Sequence, residues 1–106
     1  MMLIMTAEQM PGKAYQVIGL VQGSTIQCKN VGRDITQSLR SLVGGELVAY
    51  TEMMDKAREI ALQRMAAAAE QKGADAVICM RLSTSAIAQG AAEVVAYGTA
   101  VRWMDE

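Results

Sequence analysis

The sequence predicts an α+β fold, an antiparallel sheet of three to four strands packed against two helices in the order β-β-α-α-β-β. Three observations lead there. Tyr15 to Gly23 and the stretch after Ala76 alternate with period two, Val31 to Val43 and Val48 to Lys72 recur with a helical period, and glycines stand where the period changes. With 106 residues and no composition break, repeat or linker, the chain has room for one core and is read as a single domain over residues 1–106.

Met1 to Met5 is expected to form a short first strand. It is cut off at Met10-Pro11-Gly12, where the proline has no N–H to give a ladder. The second strand sets Gln16, Ile18, Leu20 and Gln22 on one side and Tyr15, Val17, Gly19, Val21 and Gly23 on the other. Glycines at 19 and 23 predict a bulge or a close approach of backbone, such as a helix packing there.

The first helix follows from Val31, Ile35, Leu39, Leu42 and Val43, which stack on one side. Asn30 is its expected N-cap, Asp34 and Arg40 suit the dipole at its two ends, and Gly44-Gly45 turns the chain into the second helix. That helix is expected from about Val48 to Lys72 and is closed by Gly73. Tyr50, Met53, Met54, Ala57, Ile60, Ala61, Met65 and Ala68 form its stripe, opposite Glu52, Asp55, Glu59 and Glu70. Leu62, Ala66 and Ala69 fall outside the stripe and are expected at an oligomer interface, since a surface helix of a monomer is not apolar all round. Arg64 falls within the stripe and is expected to snorkel to its edge or pair with a carboxylate. Ala76 to Ser85 and Glu93 to Met104 read as an antiparallel hairpin. Both its faces are partly apolar, one for the helices and one for a neighbouring subunit.

Composition narrows the function classes. Hydrophobic residues make up 52% of the chain, with no Phe, one Trp and three Tyr, so the core is built from Ile, Leu, Val, Ala and Met. A domain of this size buries only about two-thirds of its surface, so this apolar content predicts oligomerisation. No apolar run approaches the ~20 residues of a membrane span, and Met1 to Met5 lacks the marks of a signal peptide, so the expected location is the cytoplasm. Ten basic and eleven acidic residues lie scattered along the chain, which argues against a nucleic-acid partner. The chain has no histidine and no GxSxG, SxxK or P-loop pattern. It is therefore expected not to be an enzyme.

Leu42-Val43-Gly44-Gly45, Ala49-Tyr50-Thr51, Ala57-Arg58-Glu59-Ile60-Ala61, Gly73-Ala74-Asp75-Ala76-Val77 and Gly98-Thr99-Ala100-Val101 together resemble the YbjQ-like family, from about Tyr15 to Arg102. The resemblance implies two helices against an antiparallel sheet and a ring of five subunits. It carries Gly44, Gly45, Tyr50, Arg58, Gly73 and Asp75 as structural or interface positions, and it brings no catalytic residues. The family is sometimes labelled heavy-metal-binding. The metal ligands to weigh are then Cys28 and Cys79, whose thiolates suit a soft ion. Arg81 and Ser83 stand where family members can carry acidic residues, which weakens a carboxylate site. The expected function is a non-catalytic homopentameric module that binds a small molecule or metal ion. A purely structural or protein-interaction ring, and a thiol-dependent enzyme using Cys28 beside Lys29, are the alternatives.

Overall fold

The computed structural model describes residues 2–28, 45–88 and 91–104. Strand β1 is Leu3–Ile4, β2 is Tyr15–Cys28, helix α1 is Gly45–Gln71, β3 is Ala76–Ala88 and β4 is Ala91–Trp103. The helix expected over residues 31–43, its N-cap Asn30 and Gly44 lie outside the described residues. Gly45, expected in a turn between helices, is instead the first residue of α1.

The four strands form one sheet in the order β1-β3-β4-β2. It is mixed rather than antiparallel, because β1 runs parallel to β3. The reason lies in the connection. Past Ile4 the chain stays beside β3, with Met5 N–H donating to Val77 O (2.9 Å), Cys79 N–H to Ala7 O (3.0 Å) and Met80 N–H to Met5 O (3.1 Å). It then turns at Pro11-Gly12 and crosses to the opposite sheet edge to begin β2, so β1 and β2 share a direction and form no hairpin. β2 and β3 each pair with β4 in antiparallel register, from Tyr15↔Trp103 to Cys28↔Ala91 and from Ala76↔Val101 to Ala88↔Ala91.

Helix α1 covers one face of the sheet. Ala57, Ala61, Met65 and Ala69 are fully buried against Val21, Val77, Val94, Ala96 and Ala100. These four helix residues follow a strict i, i+4 row, which drifts by about 40° per step along a helix and so follows the twist of the sheet beneath it. That drift corrects the straight stripe read from sequence. Ile60 and Ala68 are only half-buried, and Ala69, expected at an oligomer interface, belongs to the subunit's own core. Register partners Ala76 and Val101, with Ile78, form a second small cluster on the opposite face, packed by Met5, Tyr15, Cys79 and Trp103.

The two glycines of β2 serve different ends. The ladder shifts register between Val17 and Gly19, so the bulge is there. Gly23 is the close approach: a Cβ built on it would lie 2.2 Å from the backbone nitrogen of Met65 and 2.6 Å from Ala61 O. Helix and strand touch backbone to backbone at this point.

Candidate functional site

Because α1 lies mainly over β2 and β4 and barely reaches β3, α1 leaves the sheet uncovered on the β1 side. An open groove of about 420 Å³ runs there between the helix and the N-terminal strand, lined by Met2, Ile4, Leu62, Gln63, Ala66 and Glu70. The helical residues come from successive turns of the flank beside the buried row, which is why Leu62 and Ala66 remain half-buried. The floor is aliphatic and thioether, while the exposed Gln63 and Glu70 supply the polar groups. This arrangement can hold an apolar body with one polar end. It offers no nucleophile paired with a base.

The two cysteines are both free thiols, but the fold separates them. Cys28 pairs with Ala91 at one end of β4, whereas Cys79 and Met80 lie opposite Gly98 in the bulge between Ile78 and Arg81. Seven residues of strand between those levels amount to about 23 Å. A metal site with two thiolates therefore needs sulfur from more than one copy of the chain. Among the described residues, no group of three or more His, Cys, Asp or Glu could hold a metal ion, and the chain has no histidine. The described residues of one subunit do not fit a heavy-metal centre.

Cys79 has a second peculiarity: it adopts φ +58°. It is the extra residue of a bulge in which the left-handed position is ordinarily glycine. Its thiol lies 3.8 Å from Glu8 O, and its backbone N–H is taken by the segment after β1. Nothing in the sequence signals this, since cysteine carries no preference for positive φ.

The other positions singled out by sequence are architectural. Gly73, at φ +78°, ends α1, with its N–H donating to Glu70 O (3.0 Å) and that of Ala74 to Ala69 O (3.0 Å), the Schellman pattern. Asp75 joins that helix end to β4: its N–H donates to Val101 O (2.8 Å), and its Oδ2 accepts from Trp103 N–H (2.7 Å). Arg102, which the sequence reading left without a role, donates from Nε to Gly73 O (3.1 Å) and from its terminal nitrogen to Lys72 O (3.2 Å). It places a positive charge on the carbonyl end of the helix dipole. Arg58 pairs with Asp55 on the exposed side of α1, and Tyr50 is half-buried near the helix start. Arg64 is exposed at the edge of the buried row and, among the described residues, meets no carboxylate; it donates to the backbone carbonyl of Ser24 (2.7 Å). Among the described residues, no helix is long and apolar enough to cross a membrane.

A family model described as "Putative heavy-metal-binding" matches residues 2–104. A UPF0145 protein of Clostridium perfringens is 56% identical over 105 residues, covering 98% of this chain and 99% of that one. Another from Clostridium novyi is 57% identical over 101 residues, covering 95% and 98%. Among solved structures, a protein of unknown function of the DUF74 family from Pediococcus pentosaceus superposes with a TM-score of 0.66, covering 97% of this chain and 98% of that one. At 17% identity that likeness shows the fold alone.

Proposed function

The chain belongs to the YbjQ-like family, and from that premise and its geometry we propose that it is a non-catalytic homo-oligomeric module whose groove beside Leu62 and Ala66 takes a small, largely apolar ligand. The subunit number of five comes from the family resemblance. Shape is the observation that carries the oligomer. The chain measures 59 × 22 × 19 Å with a radius of gyration of 17.2 Å, whereas a compact domain of this length has about 13 Å. Strands of 13 and 14 residues and a 27-residue helix make a long two-layer body, and among the described helix residues one row, Ala57, Ala61, Met65 and Ala69, is fully buried. Val17, Leu20, Ile26, Leu82 and Tyr97 remain exposed on it, and packing several such bodies side by side covers them.

The non-catalytic part rests on chemistry. Imidazole is missing from the whole chain, and Cys28 stands at a strand end, separated by about 23 Å of strand from the level of Cys79. A soft metal ion bound between copies remains within the proposal, because only thiolates from different subunits could meet. Native mass spectrometry of untreated protein tests the whole reading, since it weighs the assembly and any retained small molecule together. A mass above one chain with an organic passenger, lost in a Leu62→Glu variant, is the expected result. A ligand-free monomer contradicts it.

A further inference from the structure

Among the described residues, β2 is an anomalous edge strand. From Tyr15 to Cys28 it contains no charged residue and no proline, it runs 14 residues along the rim of the sheet, and Val17, Leu20 and Ile26 on it are 60%, 63% and 55% exposed. A long, uncharged, apolar edge is a template for pairing with another strand, and proteins usually blunt such an edge with charges or proline of its own. Here the charges come from the helix. Arg64 donates to Ser24 O at 2.7 Å, and Lys72 Nζ lies 3.5 Å from Leu20 O. In a strand, backbone groups two residues apart point the same way, so Leu20, Gln22 and Ser24 belong to one outward-facing row. The two cations sit on alternate carbonyls of that row. This is also where the Arg64 side chain finds its purpose, beside the backbone contact of Met65 with Gly23 that brings the helix to the rim.

We propose that Arg64, with Lys72 beside it, is an edge gatekeeper: it occupies the outward carbonyls of β2 and closes that edge to strand pairing with β2 of a second copy, steering self-association to other faces. The occupant kept out is another copy because an uncharged 14-residue strand is complementary to itself, with no charge to repel an antiparallel twin. The steering clause rests on the homo-oligomer reading; the blocking does not.

The test is an Arg64→Met, Lys72→Met double variant, which keeps both apolar stems and removes both charges. Light scattering across a concentration series is paired with hydrogen exchange at the amides of Gln22 and Ser24. The expected result is an unchanged circular dichroism spectrum, a mass growing to at least about twice that of the wild type, and edge amides exchanging about tenfold more slowly. Adding Gln22→Pro, which removes one outward N–H and no bond to β4, returns the mass to the wild-type value. That rescue separates edge pairing from damage to the fold, which a proline could not repair. A double variant with the wild-type mass at every concentration overturns the proposal, and so does association that leaves the edge amides exchanging at the wild-type rate. A wild type that is monomeric throughout defeats the homo-oligomer reading alone, since the gatekeeper is judged on the difference between variant and wild type.

Discussion

Gly23 and Cys79 show how single residues set this architecture. At Gly23 the atoms that a methyl group would meet are backbone atoms of α1, which cannot rotate aside. Gly23→Ala must push the helix off the sheet and should destabilise the protein by about 3 kcal/mol or more, at the upper end of overpacking effects, as read by chemical denaturation. A shift under about 1 kcal/mol would mean that helix and strand are not in backbone contact. The sequence marked positions 19 and 23 as bulge or close approach without dividing the roles, because both needs select the same residue. Cys79 was not legible at all in this respect. Its left-handed conformation follows from the long-range pairing of the bulge with residues 5–7. Replacing it tests that geometry: Cys79→Gly should stay within about 1 kcal/mol of the wild type, while the β-branched Cys79→Val should lose about 1–3 kcal/mol. Equal stability of the two variants would contradict the strained backbone.

Among the elements, local signals were the readable ones. The helix was placed to end at Lys72 before Gly73 and ends at Gln71, because a glycine stop and the polar face around Glu59 and Glu70 are encoded within a few residues. The hairpin of β3 and β4 was legible from alternation for the same reason. What escaped depends on partners distant in sequence. The parallel pairing of β1 with β3 requires a crossing to the far edge of the sheet, and the burial of Ala69 reflects a contact row that drifts along a twisted sheet. Arg102 and Asp75 likewise act across nearly thirty residues to fasten the end of α1 to β4. Asp75→Ala should lower stability by about 1 kcal/mol, the scale of one hydrogen bond, and should speed amide exchange in the last turn of α1. Unchanged exchange there would show that the carboxylate does not hold the helix end.

At the scale of the molecule, the separation of Cys28 from Cys79 makes a prediction about metals. Zinc and copper(II) should bind weakly, since no imidazole is present, and any tight binding should be of a soft ion and vanish in a Cys28→Ser, Cys79→Ser double variant. Zinc bound tightly without either thiol would contradict that chemistry. The groove beside Leu62 was half legible: the helix wheel set Leu62 and Ala66 apart from the core, but their partners Met2 and Ile4 come from a strand whose place in the sheet no local pattern revealed. In the proposed assembly, copies of the chain complete this elongated two-layer body. In the proposed ring a neighbouring copy covers Leu62 at the mouth of the groove; fully burying a leucine is worth about 1.5–3 kcal/mol, so one charged substitution there should suffice to break the assembly. The most direct measurement is the light-scattering mass of the wild type and of Leu62→Glu at micromolar concentration. The expected mass is about 57 kDa for the wild type, five chains of 11.4 kDa, and the variant is expected to lose it. A folded wild-type monomer of 11.4 kDa would contradict it.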